Sequence, residues 1–362
     1  MESNTNSGIA VSPAKGPATY SKADALLEVR NLKTYYRLGR GREIHAVEGL
    51  SFKLNSGETL GIVGESGSGK STVSRSLIRL VDKPGYIAGG QILWKGRDLI
   101  QLSDDEMTRL RGKEIGLIFQ DPTTSLNPLR TVGGQLLETL QIHLSLPYSQ
   151  ARSQVLETLE LVGIREGDAV FHKYPCDYST GFRQRVMIAM SIVCRPDLVI
   201  ADEPTTMLGV TVQAQILAAL RTLQRQLGMA MILITHDFGV VSQVSDRILV
   251  MYGGYAMEYA PKREFLLSPK HPYSLGLISS VPIIEARKSR RLRVIPGFPP
   301  DMLRLPPGCP FAPRCAYAQP KCDERMPPLE EVSPHHWCAC YFPVSQADLD
   351  LVEQLTLEEK AS

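Results

Sequence analysis

Several features that would narrow the function are absent from this sequence of 362 residues. No stretch approaches about 18 consecutive apolar residues, so no membrane-spanning helix is predicted. The formal net charge is only +2, which gives no global basic field for binding nucleic acid. Residues 1–24 lack the apolar segment of a signal peptide, and their Ser, Asn, Ala and Gly content predicts a disordered tail in the cytosol. No internal repeat is visible.

The composition nevertheless predicts a folded chain. Hydrophobic residues make up 43% of the sequence, which is ample for a core, and the length suggests about two domains. The most informative stretch is residues 61–72, which read Gly-Ile-Val-Gly-Glu-Ser-Gly-Ser-Gly-Lys-Ser-Thr and contain the pattern G-x-x-x-x-G-K-S.

This pattern is typical of a loop that wraps the phosphates of a nucleoside triphosphate. Gly64, Gly67 and Gly69 carry no side chains that would obstruct the approach of backbone N–H groups to the phosphates. Lys70 supplies a positive charge for the β- and γ-phosphates, and the Ser71 hydroxyl suits Mg²⁺. The context agrees, because an apolar strand (59–63) is predicted before the loop. A helix (71–80) follows, and its N-terminus faces the anion.

Polar residues follow three further apolar strands. Asp202 and Glu203 end one strand, Gln120 follows a second, and His236 follows a third. Such positions face the ligand crevice of an open α/β sheet. Asp202 suits support of Mg²⁺, and Glu203 suits general-base or water-orienting work. For Gln120 alone, a turn former is the more ordinary interpretation.

Two strands before the loop, 26–36 and 46–54, are predicted to be antiparallel. They can place Tyr35 or Tyr36 beside an adenine, although taken alone such a tyrosine more often covers a sheet face. Further predicted elements are a helix at 103–111 with a capping box, a helical insert over 130–172, a helix at 183–193 with Ser179 at its N-cap, and a strand at 248–252.

The last part of the chain has a different composition. Residues 296–341 are rich in Pro and Cys and show no helical or strand periodicity, and five of the seven cysteines fall between Cys309 and Cys340. Disulfides are unlikely in a cytosolic protein, which leaves a metal site of zinc or iron–sulfur type. The paired C-x-x-C knuckles of many zinc sites are missing. Cys176 and Cys194 are predicted to be packing residues.

Together these motifs resemble the nucleotide-binding subunits of ABC transporters, and more narrowly the ATPase subunits of the oligopeptide/dipeptide (and nickel) importer family. The resemblance covers residues 26–342. The narrower likeness rests on the segments Phe119-Gln120-Asp121-Pro122, Ser125-Leu126-Asn127-Pro128, Arg183 to Met190, Thr235-His236-Asp237, His271-Pro272-Tyr273, Gly308-Cys309-Pro310-Phe311 and Pro313-Arg314-Cys315 with Cys322.

The resemblance implies an α/β fold of the ABC type. It would combine a P-loop ATPase with a mixed core sheet, an antiparallel β subdomain, a helical insert and a small Cys/Pro-rich metal-binding tail. The expected boundaries are 25–265 for the ATPase domain with an insert at about 122–185, 266–342 for the tail, and 343–362 for a C-terminal extension.

The resemblance also implies site residues. ATP and Mg²⁺ would be held by Tyr36 (Tyr35 as second choice), Gly64, Ser66, Gly67, Ser68, Gly69, Lys70, Ser71, Thr72, Gln120 and Asp202. Catalysis would fall to Glu203, His236 and Gln120, while Ser179 and Gly181 would cap the ATP of a partner. A [4Fe–4S] cluster, or zinc as the alternative, would be bound by Cys309, Cys315, Cys322 and Cys340. Cys338 would then be an extra cysteine, because the family's last cysteine follows an Ala, as Cys340 does.

The implied partners are a second ABC ATPase subunit in a head-to-tail dimer, two transmembrane permease subunits and an extracytoplasmic solute-binding protein. Nucleic acid is not expected. The chain would lie peripherally on the cytoplasmic face of the cell membrane.

Two segments depart from the family pattern: Leu-Ser-Gly-Gly becomes Tyr178-Ser179-Thr180-Gly181, and Ala-Leu-Asp becomes Met207-Leu208-Gly209. Both act on the partner's nucleotide, so an asymmetric heterodimer is expected, with a symmetric homodimer as the alternative.

Two rival functions remain. A soluble ABC protein of translation or DNA maintenance usually carries two cassettes or long coiled coils, whereas this chain has one phosphate loop. A mainly regulatory subunit would lack the catalytic acid, whereas Glu203 and His236 are present. The sequence does not identify the solute.

Overall fold

The computed structural model describes residues 25–39, 41–206, 208–280, 295–346 and 348–349. The tail predicted for 1–24, Met207 and most of the extension predicted for 343–362 lie outside these ranges. Within them, none of the helices is both long enough and apolar enough to cross a bilayer.

The strands alternate with helices in the order expected for an α/β protein. They are β1 (Leu27–Arg37), β2 (Glu43–Leu54), β3 (Thr59–Val63), β4 (Gly85–Trp94), β5 (Arg97–Asp98), β6 (Ile115–Ile118), β7 (Leu198–Asp202), β8 (Ala230–Thr235), β9 (Arg247–Tyr252), β10 (Tyr255–Pro261), β11 (Glu330–Ser333) and β12 (His336–Cys338).

The helices are α1 (Lys70–Leu77), α2 (Asp104–Leu110), α3 (Pro122–Ser125), α4 (Val132–Leu144), α5 (Tyr148–Leu161), α6 (Gly167–Phe171), α7 (Thr180–Ile192), α8 (Val210–Leu227), α9 (Phe238–Val244), α10 (Lys262–Leu267), α11 (Pro272–Ser279) and α12 (Lys321–Glu324). Short 3-10 turns lie at Leu99–Gln101, Pro175–Asp177 and Ala312–Arg314.

The strands form two sheets. An antiparallel sheet has the order β2-β1-β4-β5, and a mixed sheet has the order β11-β12-β10-β9-β3-β8-β7-β6. In the mixed sheet β6, β7, β8, β3 and β9 are parallel, and β10, β12 and β11 add antiparallel pairs. The predicted mixed core sheet and antiparallel β subdomain are therefore confirmed.

The mixed sheet is buried on both faces, because two hydrophobic clusters cover it. Every residue of β3, β7 and β8 is buried, as expected for central parallel strands. Successive side chains point to opposite faces, so Met231 and Leu233 join the cluster on the side of the helical insert. Ile232 and Ile234 join the cluster beneath the antiparallel sheet.

The helical insert forms as predicted, with α4, α5 and α6 packed on one another and α4 and α5 packed on α7. The capping box predicted at Ser103 and Glu106 opens α2. The long helix α8 was not predicted. Its apolar residues Ile216, Leu217, Leu220 and Leu223 follow helical spacing and are buried.

The tail differs from the expectation that it would lack strands. Its strands β11 and β12 extend the mixed sheet, with Cys338 paired to Glu258 of β10. Glu258 is fully buried and accepts hydrogen bonds from the backbone N–H groups of Lys270 (2.8 Å) and His271 (2.8 Å). It also lies 2.6 Å from Nε2 of His336, so this carboxylate joins the tail to the sheet.

Candidate nucleotide-binding site

One edge of the mixed sheet gathers the predicted catalytic residues. The strands β3, β8, β7 and β6 are adjacent and parallel, so their carboxyl ends lie together. The phosphate loop follows β3, His236 follows β8, Asp202 and Glu203 end β7, and Gln120 follows β6. This is the crevice where open α/β sheets bind ligands.

Lys70 is folded over the backbone of the phosphate loop. It is 4% exposed, and its Nζ donates to the carbonyl oxygens of Gly64 (2.8 Å) and Glu65 (2.9 Å) and lies 3.4 Å from Oγ of Ser68. Burial lowers the pKa of Lys70, and the nearby charges of Glu203, Asp202 and Glu65 oppose that effect. A triphosphate would supply the anionic partner that this ammonium group lacks.

The glycines of the loop serve two purposes. All three have φ in the left-handed region: 156° at Gly64, 79° at Gly67 and 100° at Gly69. A Cβ at Gly64 would lie 2.2 Å from the carbonyl oxygen of Met251, and one at Gly69 would lie 2.0 Å from that of Ala46. These two glycines are therefore required by backbone packing. Of these three glycines, only Gly67 would place an added Cβ in open space, with no atom of the described structure within 4 Å. This agrees with the sequence argument that glycine leaves room for the phosphates.

The remaining loop residues present backbone and hydroxyl groups at the start of α1. Ser66 and Gly67 are exposed, Ser68 is buried, and Thr72 is half-buried within the first turn of the helix. Because the first N–H groups of a helix have no intrahelical partners, this end of α1 suits an anion.

Asp202 is tied to α1 by two serines. Its carboxylate accepts from Oγ of Ser71 (3.0 Å) and from Oγ of Ser74 (2.8 Å), and the residue is 8% exposed. Burial raises the pKa of Asp202, and the two serine hydrogen bonds act against that rise. The hydroxyl of Ser71 and this carboxylate form an oxygen donor set that fits Mg²⁺.

Three polar side chains meet the carboxylate of Glu203. Oε2 accepts from Nε2 of Gln120 (3.1 Å) and from Oγ1 of Thr206 (2.9 Å), and Oε1 lies 3.3 Å from Nδ1 of His236. The backbone of Glu203 has φ of 48°, a left-handed conformation that a non-glycine residue rarely adopts. The structure therefore brings together Gln120, Glu203 and His236.

Sequence reasoning missed Thr206. Its only signal is a hydroxyl residue three positions after Glu203, across the turn that Pro204 begins. That spacing lets the hydroxyl return to the carboxylate.

The two candidate adenine-stacking tyrosines differ in their surroundings. The ring of Tyr35 stacks on His45 with centroids 3.9 Å apart, and its hydroxyl donates to Glu48 (2.7 Å). Tyr36 is half-buried, next to Gly85, where a Cβ would lie 2.6 Å from its Cε1. One face of the Tyr35 ring is therefore already covered by His45.

Ser179 and Gly181 lie at the N-terminus of α7, in the insert. Ser179 is at the N-cap but its hydroxyl does not cap the helix, and it is exposed. Among the described residues, no hydrogen bond joins Ser179 or Gly181 to the phosphate loop. Thr180 is the first helical residue of α7 and is not among the described residues with positive φ, so its side chain causes no backbone strain of that kind.

Four cysteines line one pocket of the tail. They are the four predicted ligands, Cys309, Cys315, Cys322 and Cys340. Cys338 does not line this pocket. Of the two cysteines outside the tail that were predicted to be packing residues, Cys194 is buried, whereas Cys176 is exposed and is not a packing residue. Within the described residues, no three His, Cys, Asp or Glu side chains are grouped closely enough to hold a metal ion.

Burial also controls the charge of the pocket. It raises the pKa of Cys309 to about 12 and that of Cys340 to about 11. It lowers the pKa of His271, which lines the same pocket, to about 3. The thiols of Cys309 and Cys340 and this imidazole are therefore neutral at physiological pH.

Comparison with known proteins agrees with this geometry. The family model "ABC transporter" matches residues 47–206, and "Oligopeptide/dipeptide transporter, C-terminal region" matches residues 257–322. The oligopeptide transport ATP-binding protein OppD of Escherichia coli is 46% identical over 336 residues, which is 93% of this chain and 98% of that protein. This chain belongs to the ABC transporter ATP-binding subunits.

Other relatives extend this assignment. OppD of Bacillus subtilis is 47% identical over 86% of this ABC subunit and 87% of its own length. The ATP-binding cassette MJ0796, in a dimeric post-hydrolysis state with ADP and phosphate, is 27% identical with a TM-score of 0.59. The matched region covers 66% of this chain and 99% of the MJ0796 chain. The cbiO1 protein of Clostridium perfringens is 29% identical with a TM-score of 0.57, over 67% and 90% of the two chains. The ABC ATPase fold is thus established, and this subunit hydrolyses ATP to drive transport.

We expect Glu203→Gln to abolish ATP turnover while leaving ATP binding. The amide keeps the size of the side chain and its contacts near Gln120, Thr206 and His236 but loses the basic oxygen. Loss of such a group typically costs on the order of 10²–10⁴ in rate. The measurements are phosphate release and equilibrium nucleotide binding by the assembled transporter. Glu160→Gln, an exposed change on α5, serves as control. Near-normal turnover by Glu203→Gln would show that another group activates the water.

Proposed function

We propose that this chain powers the import of dipeptides, oligopeptides or similar small solutes. The observation that carries the proposal is the gathering of Lys70, Asp202, Glu203 and His236 at one sheet edge, in a chain whose tail matches the oligopeptide/dipeptide transporter model. The relatives named above are oligopeptide transport proteins. We place the ATPase domain at 25–265 and the tail at 266–342.

In this proposal the nucleotide lies across the phosphate loop. Tyr36 stacks on adenine, and Gly64, Ser66, Gly67, Ser68, Gly69 and Thr72 offer backbone and hydroxyl groups to the phosphates. Lys70 moves from the carbonyl oxygens of Gly64 and Glu65 to the β- and γ-phosphates. Ser71 and Asp202 hold Mg²⁺, which when bound neutralises phosphate charge.

Glu203 orients and polarises the attacking water. Its place beside Gln120 and His236 supports this role, since all three groups are already joined by hydrogen bonds. His236, which is half exposed, contacts the γ-phosphate. Gln120 connects the site to the surface between the core and the insert, where a membrane partner docks. Changes in nucleotide state thus reach the permease through a side chain bound to Glu203.

The partners follow from the same proposal. They are a second ABC ATPase subunit, two transmembrane permease subunits and an extracytoplasmic solute-binding protein. The chain lies peripherally on the cytoplasmic face of the membrane. Ser179, which is exposed, and Gly181, which is half-buried, lie at the start of α7 and cap the partner's ATP across a head-to-tail interface. The first N–H groups of that helix face the phosphate.

The import function is tested by uptake of labelled peptide. The complete transporter, with its solute-binding protein, is reconstituted in vesicles with ATP on the side of this subunit. We expect uptake that requires ATP and is lost in Lys70→Ala, because the phosphates lose their charge partner. Lys113→Ala, an exposed lysine distant in sequence, is the control. ATP hydrolysis that is indifferent to the permease, with uptake absent, would instead favour a soluble ABC ATPase. Slow turnover with tight binding would favour a regulatory subunit.

We further propose that the tail binds a [4Fe–4S] cluster through Cys309, Cys315, Cys322 and Cys340. The observation that supports this proposal is that these four cysteines line one pocket. Zinc remains the alternative, since among the described residues no three His, Cys, Asp or Glu side chains are grouped closely enough to hold a metal ion of either kind. A bound cluster would supply the positive charge that holds four thiolates, two of which, at Cys309 and Cys322, are buried. We assign it a structural role, because its ligands would join separate segments of the tail.

We expect the chain purified without oxygen to be brown and to contain about four irons, by the stoichiometry of such a cluster. Cys340→Ser and Cys338→Ser form a matched pair, because both cysteines lie in the same segment. Cys340→Ser should lose most of the iron and Cys338→Ser should retain it. Iron content and visible absorbance are the measurements. Stoichiometric zinc without iron, or equal loss in both variants, would contradict the cluster and its ligands.

We also propose an asymmetric pair of ATPase subunits. The side chain of Thr180 occupies space beside the partner's γ-phosphate. Gly209 removes a carboxylate that related chains have after the catalytic strand. The backbone does not demand glycine there, since φ is −65° and a Cβ would meet nothing within 4 Å in the described structure. Both losses fall on the ATP held by the partner, while the groups for this chain's own ATP are intact.

The asymmetry predicts unequal effects of two matched substitutions in the complete transporter. Glu203→Gln in this chain should stop transport, whereas the matching change in the partner should leave a substantial fraction of uptake. The double change Thr180→Gly and Gly209→Asp should narrow that difference. Peptide uptake and phosphate release are the measurements. Equal loss from both Glu-to-Gln changes, or full activity with two copies of this chain, would overturn the asymmetric arrangement.

A further inference from the structure

An arginine of the tail contacts the phosphate loop directly. Arg314 lies next to Cys315, yet its guanidinium group forms a two-pronged ion pair with Glu65, at 2.7 Å (Nη1 to Oε2) and 3.0 Å (Nη2 to Oε1). Its side chain is only 7% exposed. Glu65 is the first residue after Gly64 in the phosphate-binding pattern. The contact therefore joins two segments that are 249 residues apart in sequence.

A second group of the tail holds the backbone of the same residue. The N–H group of Glu65 donates to the hydroxyl of Tyr273 on α11 at 2.9 Å. The carbonyl oxygen of Glu65 accepts from Nζ of Lys70 at 2.9 Å. The side chain, the N–H group and the carbonyl of Glu65 are thus each engaged. Two of these three contacts come from the tail, and the third comes from the lysine proposed to bind the phosphates.

Arg314 is itself fixed from several sides. Its Nε donates to the carbonyl oxygen of Pro296 (2.8 Å), and Nη1 also donates to the hydroxyl of Tyr252 (3.0 Å). The guanidinium carbon lies 5.7 Å from the ring centroid of Tyr252 and 5.9 Å from that of Phe311, which lines the cysteine pocket. A planar guanidinium group held in this way can offer Glu65 only one geometry.

We propose that Arg314 is a positioning residue of the nucleotide site, which fixes Glu65 and thereby the conformation of the phosphate loop that binds ATP. Arg314 is not one of the phosphate-binding groups of the proposed site. It acts through Glu65, whose peptide groups lead into the exposed turn at Ser66 and Gly67. It also neutralises a carboxylate that would otherwise stand unpaired beside the triphosphate. The cysteine tail is therefore a component of the ATP site as well as a covering of the sheet.

This inference rests on the proposal that the loop at 64–72 holds ATP, and the experiment separates the two. The full chain is measured in the assembled transporter, and KM for ATP and kcat are determined separately. Arg314→Met should raise KM roughly tenfold to a hundredfold, the range for loss of charge-assisted hydrogen bonds, with kcat within about twofold. Arg314→Lys should show a smaller rise in KM, because lysine keeps the positive charge but cannot form the two-pronged contact of the guanidinium group.

A double substitution tests whether Arg314 acts through Glu65. Glu65→Gln alone should also raise KM, and Arg314→Met combined with Glu65→Gln should be within about twofold of Arg314→Met alone, because both remove one interaction. Losses that multiply would overturn the proposal. So would a KM for Arg314→Met within about twofold of the unchanged protein, or a fall in kcat alone. If Arg314→Met lowers the thermal midpoint or the metal content of the tail, Glu65→Gln decides, since it leaves the tail unchanged.

Two controls complete the design. Arg325→Met removes an arginine whose bond, Nε to the hydroxyl of Tyr341 at 3.0 Å, stays within the tail, and it should leave KM unchanged. A rise in KM equal to that of Arg314→Met would reduce Arg314 to a general stabiliser of the tail and overturn the proposal. Lys70→Ala reports on the site itself. If Lys70→Ala binds ATP normally, the nucleotide site is wrong. If Lys70→Ala fails to bind ATP while the KM of Arg314→Met is unchanged, only the role proposed for Arg314 is wrong.

Discussion

The parallel pairing of β3, β8, β7 and β6 is the constraint on which the nucleotide site depends. Because these strands run in the same direction, their carboxyl ends share one edge, and residues from four distant parts of the chain meet there. The strands are held in this order by side chains buried on both faces, which leaves polar residues only where the strands end. The core thus determines where the chemistry occurs.

Hydrogen bonds among the site residues hold the site in shape before a nucleotide binds. Lys70 is satisfied by carbonyl oxygens of its own loop, Asp202 by two serines of α1, and Glu203 by Gln120 and Thr206. A buried charge without partners would be costly, so each of these groups is paired by the fold itself.

The tail is integrated with the ATPase domain through two hydrogen-bonded carboxylates. Glu258 joins β10 to His336 and to the start of α11, and Glu65 joins the phosphate loop to Arg314. Buried pairs of this kind add specificity of placement more surely than net stability. They place the cysteine pocket and the nucleotide site on one connected framework, although the two are far apart in sequence.

The sequence by itself determined the elements and the chemistry whose signals are local. Glycine spacing, a lysine and a hydroxyl residue define the phosphate loop, and acids after an apolar strand define Asp202 and Glu203. Their physical basis is contained in a few adjacent residues. The tertiary structure alone decided what depends on contacts between distant segments. Thr206 at the carboxylate of Glu203, the strands β11 and β12, and the pair of Arg314 with Glu65 all arise from packing. The side chains involved carry no periodic pattern that would place them against these partners.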